Sequence, residues 1–183
     1  MVTLLLMGRC CRISFDMIKL GYKQQSSLFE WHWTDTMTEI NFIIEKLVNK
    51  EPITITRNNG NDYIDGTKIV TGHYQNQNYR EIFDRRAARF LEQVRSDTPI
   101  LFIRDDIFGN ITADEINKFK DFLHTINPDC SYKIIIVSPA DKYTKIISDK
   151  VFHEVYDVSK YDQYIESCYP LCKNMIQHTS DKD

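Results

Sequence analysis

The chain has 183 residues, of which 42% are hydrophobic and 27% charged, and its formal net charge is −3. This length is enough for one domain with a buried core. The charge gives no electrostatic reason to expect nucleic acid as a partner, and no apolar run approaches the ~20 residues that span a bilayer. We therefore expect a protein that binds neither nucleic acid nor a membrane.

The first third of the chain predicts a strand and two helices. Val2–Met7 is an apolar run typical of a buried strand, and the helical pattern over Cys11–Leu20 ends at Gly21, a residue type that often terminates helices. Thr36 and Glu39 predict a capping box at the start of a second helix, whose apolar residues share one face.

The middle of the chain predicts short strands and then a long helix. Ile53–Thr56 and Lys68–Val70 have strand character and are separated by Asn58-Asn59-Gly60 and Asp65-Gly66, which favour turns. From Tyr79 onward, an apolar stripe at helical spacing predicts a long amphipathic helix.

The last part alternates strands with helices. Ile100–Ile103 and Lys133–Ser138 predict buried strands, and Thr112 and Glu115 predict a capping box on the helix between them. The remaining predicted elements are a short helix over Ala140–Asp149, a strand over Val151–Val155 and a helix over Tyr161–Cys168.

Apolar strands that alternate with amphipathic helices predict an α/β fold: a three-layer arrangement with a mostly parallel sheet and helices on both faces. The strands expected to share the sheet are Val2–Met7, Ile100–Ile103, Lys133–Ser138 and Val151–Val155. We expect the second and third of these to be parallel and joined by a right-handed crossover. Residues 1–172 are predicted to form a single domain, followed by a polar tail over 173–183.

The cysteines indicate a reducing compartment. They are Cys10, Cys11, Cys130, Cys168 and Cys172. An odd count, two adjacent residues and no export signal argue against a disulfide framework, so we expect free thiols in a cytoplasmic, intracellular protein. Cys168 and Cys172 have no matching pair of ligands nearby, so neither a metal site nor a cofactor is predicted.

The first loop carries the most informative candidates. In parallel sheets ligands usually bind at the carboxyl ends of the strands, here Gly8–Arg12, Arg104–Asn110 and Ser138–Tyr143. Gly8 permits a tight turn, and Cys10 and Cys11 come at the start of the next helix, where the dipole and free amides favour a thiolate. Arg9 and Arg12 add positive charge. The alternative is a buried thiol that only fills space.

Several motifs occur in a recognisable order. They are Gly8-Arg9-Cys10-Cys11, Leu20-Gly21, Ser26-Ser27-Leu28-Phe29-Glu30-Trp31, Gly72-His73-Tyr74, Arg86-Ala87-Ala88-Arg89-Phe90 and Leu101-Phe102-Ile103-Arg104. This order resembles an uncharacterised family of papain-like cysteine peptidases, whose pattern includes Gly-x-x-Cys, Ser-x-Pro-Phe-Asp-Trp, a histidine after a short strand and an arginine-rich helix. The resemblance covers most of Val2–Val137. Leu28 replaces the family's proline, and Glu30 its aspartate.

The resemblance implies that Cys11 is a nucleophile and His73 its base, with Cys10 as the alternative thiol. In such a pair the imidazole takes the thiol proton and the thiolate attacks an acyl carbon. The candidate carboxylates for orienting the histidine are Glu30, Asp105 and Asp106. His32 is interpreted as structural. The family label also implies a largely antiparallel sheet, whereas the periodicity predicts a parallel one.

Three further residues are candidates for substrate binding. Arg86, at the boundary of its helix stripe, and Arg104, at a strand end, have the chemistry to clamp a carboxylate or phosphate, with ion pairs to nearby carboxylates as the alternative. Trp31 belongs to an aromatic surface with Phe29 and Trp33. We therefore predict a thiol-dependent hydrolase or acyltransferase acting on a peptide, acyl or glycan substrate. The alternative is a non-catalytic α/β module that binds a protein or glycan through the aromatic surface.

Overall fold

The computed structural model describes residues 2–9, 12–19, 21–22, 25–146 and 148–156. In chain order its elements are β1 (Thr3–Leu6), α1 (Arg12–Lys19), α2 (Met37–Asn49), β2 (Ile55–Asn58), β3 (Asn61–Ile64), β4 (Val70–Thr71), α3 (Tyr79–Arg95), β5 (Ile100–Asp105), α4 (Ala113–Ile126), β6 (Tyr132–Pro139) and β7 (Val151–Tyr156). The larger sheet has the strand order β1-β5-β6-β7, and every pairing is parallel. The expected sheet, with parallel pairing of β5 and β6, is confirmed.

Side chains of the parallel sheet alternate between two clusters of buried residues, as the period of a strand requires. The first cluster contains Leu5, Phe102, Ile134 and Ile136 together with apolar residues of α2, α3 and α4. The second contains Leu6, Ile103, Ile135 and Val137 together with Ile13 and Met17 of α1. Because both sets are buried, β5 and β6 need continuous apolar runs rather than an alternating pattern.

A second, antiparallel sheet contains β2, β3 and β4. Asn59 and Gly60 connect β2 to β3 with φ angles of 49° and 77°, the left-handed pair that a two-residue hairpin needs. Sequence analysis identified this turn but not β3, which it treated as part of the connection between two strands. The structure is therefore mixed α/β, with one parallel and one antiparallel sheet.

The two predicted capping boxes have different outcomes. At α4 the prediction is confirmed, because Thr112 Oγ1 accepts the Glu115 N–H at 3.2 Å and Glu115 Oε2 accepts the Thr112 N–H at 2.9 Å. At α2 it is wrong, since the Thr36 side chain makes no capping hydrogen bond. Glu115 Oε1 instead accepts the Thr38 N–H at 2.8 Å, so a carboxylate on α4 caps α2 as well. A tertiary contact has replaced the local one.

The helix predicted over Ala140–Asp149 is wrong for residues 140–146 and 148–149, which form turns and irregular structure. His153 on β7 explains part of this difference. Its Nε2 lies 3.0 Å from the backbone nitrogen of Ile146 and 3.2 Å from the Ile146 carbonyl oxygen, and a hydrogen bond to either one uses a backbone group that a helix would need. The predicted helix over Tyr161–Cys168 and the tail over 173–183 lie outside the described residues.

Trp33 connects the two sheets. It forms a parallel bridge with Arg9, just beyond β1, and an antiparallel bridge with Val70 of β4. Its N–H donates to the Val70 carbonyl at 2.8 Å, and the Val70 N–H donates back at 3.1 Å. The antiparallel sheet is therefore attached at the carboxyl end of β1, which is where the predicted site begins.

Candidate active site

Residues 25–36, which we call the bridging segment, run along the carboxyl ends of β1 and β5. The Leu6 N–H donates to Ser27 Oγ at 2.9 Å, and the Arg9 N–H donates to Thr34 Oγ1 at 2.9 Å. Gly8 must be a glycine for this close approach, because it has a φ of 73° and a Cβ there would lie 2.9 Å from the Phe29 carbonyl oxygen. The segment therefore packs on the carboxyl end of β1, at the edge where a ligand was expected.

Arg104 is one of the residues that fix this segment. Only 1% of its surface is exposed, and burial lowers its pKa to about 10. Its guanidinium donates to the Met7 carbonyl at 2.8 Å, to the Thr34 carbonyl at 2.8 Å and to the Thr34 hydroxyl. These contacts tie β1, β5 and the bridging segment together. Direct contact between Arg104 and substrate stays a prediction.

Arg86 contacts the bridging segment at the buried residue Glu30. Arg86, predicted at the boundary of the α3 stripe, is 6% exposed and therefore faces the protein interior. Its guanidinium donates to the Glu30 carbonyl at 3.1 Å and to the Tyr74 hydroxyl at 2.7 Å. The buried Glu30 carboxylate accepts the Ser27 N–H at 2.9 Å. Both side chains thus hold the turn that precedes Trp31, and their roles toward substrate or histidine stay predictions.

His32 completes this buried network. Its Nδ1 lies 2.8 Å from the Glu30 carbonyl oxygen, and its Nε2 contacts the Tyr79 hydroxyl. Since a carbonyl only accepts, Nδ1 carries the proton and Nε2 accepts from Tyr79. Burial, and secondarily the Arg86 charge, lowers the pKa of His32 to about 4, while burial raises the pKa of Tyr79. His32 is therefore a neutral structural residue, as interpreted from the sequence.

Trp31 is placed by the two anchored residues on either side of it. Its φ of 69° lies in the left-handed region, which is unusual for a bulky residue and occurs most often where function constrains the backbone. The indole packs edge-on against Phe15 in the first turn of α1, with ring centroids 4.8 Å apart. On another side the indole packs against the His73 ring, with ring centroids 5.2 Å apart. Trp31 thus links the start of α1 to His73.

His73 borders a cavity at the junction of the two sheets. This cavity, the tryptophan pocket, has a volume of about 350 Å³ and is lined by Trp31, His32, Trp33, Asn61, Tyr63, Val70, Thr71, Gly72 and His73. The His73 side chain is exposed, and within the described part of the chain its ring forms no hydrogen bond. Gly72 leaves room for Asn61, whose Oδ1 would lie 2.8 Å from a Cβ at that position.

The structure brings some of the predicted site residues together and separates others. Cys10 and Cys11 lie outside the described residues. Asp105, the last residue of β5, is 2% exposed. Among the residues that the structure describes, no hydrogen bond or ion pair joins His73 to Asp105 or Glu30. The described group is therefore His73, Trp31 and the first turn of α1, without the arginines or the proposed orienting carboxylates.

Sequence analysis missed the residues that the antiparallel sheet contributes to the pocket. Asn61 and Tyr63 lie on β3. The Asn59-Gly60 pair was the available signal, because this dipeptide between residues with strand character is typical of a hairpin. A hairpin there would have predicted a strand from Asn61 that pairs antiparallel with β2.

A second cavity of about 350 Å³ lies near the start of α3, with Arg57, Asp62 and Arg80 in its wall. Its charged groups already have partners. Arg57 Nε and Nη2 each donate to the Asp62 carboxylate at 2.8 Å, and Arg80 Nε donates to Asp84 at 2.8 Å. None of the predicted site residues lines this cavity, so the tryptophan pocket is the better candidate.

No family model, curated protein or solved structure matches this chain. The resemblance to papain-like cysteine peptidases therefore depends on the short motifs alone. Among the described helices, none combines the length and apolar character needed to cross a membrane.

Proposed function

We propose that the protein is a thiol-dependent hydrolase or acyltransferase in which Cys11 is the nucleophile and His73 the base. The observation that carries this proposal is the contact series from His73 through Trp31 to Phe15 in the first turn of α1. That helix begins at Arg12, the residue after Cys11 in the sequence. An exposed imidazole close to the start of this helix, and at the border of a pocket, suits a base that must meet both a thiol and a substrate.

The proposed chemistry uses a single proton carrier. The His73 imidazole accepts the thiol proton of Cys11, and the thiolate attacks the acyl carbon of the substrate. As the bond to the leaving group breaks, the imidazolium returns its proton to that group and a thioester remains. Water or an acceptor nucleophile, deprotonated by the same imidazole, then releases the acyl group and regenerates the thiol.

The orienting group of the proposed pair is left open among Glu30, Asp105 and Asp106. Membership of the papain-like family is part of the proposal, with support from the order of the motifs. A parallel main sheet can carry the proposed thiol–imidazole pair, because such pairs occur on unrelated folds.

We also propose the three-layer arrangement and a cytoplasmic location. The two clusters on alternate residues of the sheet, one with α1 and the other with α2, α3 and α4, support helices on both faces. Cys130 is a free, buried thiol, which fits a reducing compartment. A single domain over 1–172 with a tail over 173–183 stays a prediction.

An acylation experiment tests the catalytic proposal. The protein is incubated with p-nitrophenyl acetate and the acetylated peptide is identified by mass spectrometry. We expect acetyl transfer to Cys11, a large loss of rate in His73→Ala, and retention of the reaction in Cys10→Ser. Acetylation of Cys10 instead, or a rate that His73→Ala leaves unchanged, would contradict the assignment.

The second candidate function is a non-catalytic binding module, which the tryptophan pocket itself favours. Its walls include Trp31, Trp33 and Tyr63, and such concave aromatic surfaces bind ligands without any chemistry. Phe29, expected on the aromatic surface, is 2% exposed and belongs to the core instead. If the acylation experiment fails while a ligand still binds the pocket, this candidate replaces the first.

A further inference from the structure

Trp33 is exposed yet held in place on several sides. About half of its surface, 48%, is accessible. One face of the indole lies against the Arg9 guanidinium, whose central carbon is 4.0 Å from the ring centroid. The indole N–H donates to Asp35 Oδ1 at 2.8 Å, and the backbone is bonded to Val70. Trp33 also lines the tryptophan pocket.

Arg9 is buried against the Trp33 ring. It is 1% exposed and has a φ of 93°, and none of its guanidinium nitrogens forms a hydrogen bond to a residue that the structure describes. Among the described residues, its neighbours are Trp33, Phe108 and Asp35. The guanidinium carbon lies 4.2 Å from the centroid of the Phe108 ring, and Nη1 lies 3.5 Å from Asp35 Oδ1. Burying a guanidinium without hydrogen bonds is costly. The two aromatic stacks and the Asp35 carboxylate offset this cost, and the stack of Arg9 on Trp33 fixes the plane of the indole.

The charges around the pocket exclude one class of ligand. Aromatic walls such as Trp31, Trp33 and Tyr63 would suit an organic cation. Such sites gain from a free carboxylate, but no carboxylate lines the described wall of this pocket, and the nearby Asp35 carboxylate already accepts the Trp33 indole N–H and lies 3.5 Å from Arg9 Nη1. The Arg9 charge also lies directly behind the Trp33 ring, where it opposes a cation on the opposite face. The pocket is therefore poorly suited to a quaternary ammonium group.

The polar residues of the pocket exclude a purely apolar ligand. Asn61 and His73 border it together with the aromatic rings. Covering their polar atoms with an aliphatic side chain would remove water without replacing its hydrogen bonds. The ligand that fits must present an apolar face to Trp33 and hydrogen-bonding groups along its edge.

We propose that the tryptophan pocket binds a neutral pyranose ring of a glycan. The C–H face of the sugar stacks on Trp33, and its hydroxyl groups bond to Asn61 and His73. This inference rests on the proposed function only in taking the pocket as the ligand site, and it does not require Cys11 to react. Arg9 and Asp35 are positioning residues for the stacking ring.

Saturation-transfer NMR on the full-length Cys11→Ser protein tests this inference. The sugar probes are cellobiose, maltose, lactose and N,N′-diacetylchitobiose, and the competing classes are represented by tetramethylammonium and adenosine. We expect at least one sugar to bind and the other two probes not to. Trp33→Ala should weaken the affinity for the sugar by tenfold or more. The matched control is Phe42→Ala, at a residue on α2 that is 41% exposed and lies outside the pocket, and it should leave sugar binding unchanged.

Arg9→Met provides a second readout that a merely structural role would not give. It keeps a long side chain behind Trp33 but removes the charge, so affinity for tetramethylammonium should rise. Binding of tetramethylammonium or adenosine by the unchanged pocket, binding of no sugar, or sugar binding that survives Trp33→Ala would overturn the inference. None of these results depends on the reactivity of Cys11, so a failure here and a failure of the catalytic proposal are separate outcomes.

Discussion

The carboxyl edge of the parallel sheet and the tryptophan pocket lie next to each other but use their side chains in opposite ways. At the edge, Arg9 and Arg104 are each 1% exposed and serve the protein interior. In the pocket, Trp33 is 48% exposed and the His73 side chain also faces solvent. The charged groups at the edge are buried within the protein, while the accessible groups of the pocket belong to the bridging segment and to the residues on and beside the small antiparallel sheet.

This difference refines the rule that parallel sheets bind ligands at the carboxyl ends of their strands. The rule identifies the correct end of the sheet. The bridging segment, however, lies across that edge, with Thr34 accepting hydrogen bonds from both Arg9 and Arg104. The surface that a ligand can reach therefore lies beside β3 and β4. The following predictions test whether the edge and the pocket really differ in this way.

The largest effect is expected at the edge. Arg104→Met removes the donors to Met7 and Thr34 and leaves their carbonyl groups buried without partners, so unfolding should become easier by about 3 kcal/mol. Urea unfolding measures this change. Arg85→Met, at an exposed residue of the same type on α3, should alter stability by less than about 0.5 kcal/mol. A small effect of Arg104→Met would mean that this arginine is not structural.

The buried network predicts a pH effect of similar size. His32 has a pKa of about 4 in the folded protein and 6.5 as its ordinary value. Between these values the unfolded chain binds a proton that the folded protein excludes, so stability should fall as the pH drops from 6.5 to about 4, by up to about 3 kcal/mol. An NMR titration of the His32 ring checks this directly. Protonation of the folded protein near pH 6.5 would contradict the neutral, buried assignment.

Two glycines with nearly equal backbone angles offer a matched comparison. Gly8 has a φ of 73° and Gly21 a φ of 74°. An added Cβ at Gly8 would lie 2.9 Å from Phe29 O and from Thr34 Oγ1, whereas one at Gly21 would have no atom of the described residues within 4 Å. Gly21→Ala should cost about 1 kcal/mol from the backbone alone, and Gly8→Ala should cost clearly more. Thermal unfolding of both variants measures the difference. Equal losses would mean that the bridging segment does not pack closely on β1.

The smallest effect on stability is expected in the pocket. The exposed His73 side chain makes no hydrogen bond to any described residue, so His73→Ala should change the free energy of unfolding by less than about 0.5 kcal/mol. Urea unfolding under the conditions used for Arg104→Met measures it. A loss comparable to that of Arg104→Met would show that His73 is structural and would remove the contrast between the two regions.

The sequence predicts the parallel sheet well because β5 and β6 are buried on both sides and must be continuously apolar, as Leu101-Phe102-Ile103 and Ile134-Ile135-Ile136 are. It predicts the α4 cap because Thr112 and Glu115 are local partners. It does not predict the α2 cap, which Glu115 supplies from a distance, or the burial of Arg86. These depend on tertiary contacts that leave no periodic pattern.

The candidate site was predictable only in part. His73 and Trp31 were identified, and the structure places them in contact. The roles expected of Arg86 and Arg104 followed from their residue type, which does not distinguish a guanidinium that binds a ligand from one that binds the backbone. Tyr63 and Asn61 escaped notice because β3 is short and polar at its start.

The measurement that tests the central claim most directly is the rate of iodoacetamide labelling of each cysteine against pH, read by mass spectrometry in a Cys10→Ser background. If Cys11 and His73 form a pair, Cys11 should label fastest below pH 7, and His73→Ala should slow it by about tenfold or more. Cys130, whose pKa is raised by burial, should stay slow. A Cys11 that labels no faster than an unfolded cysteine, or at the same rate in His73→Ala, would contradict the catalytic account.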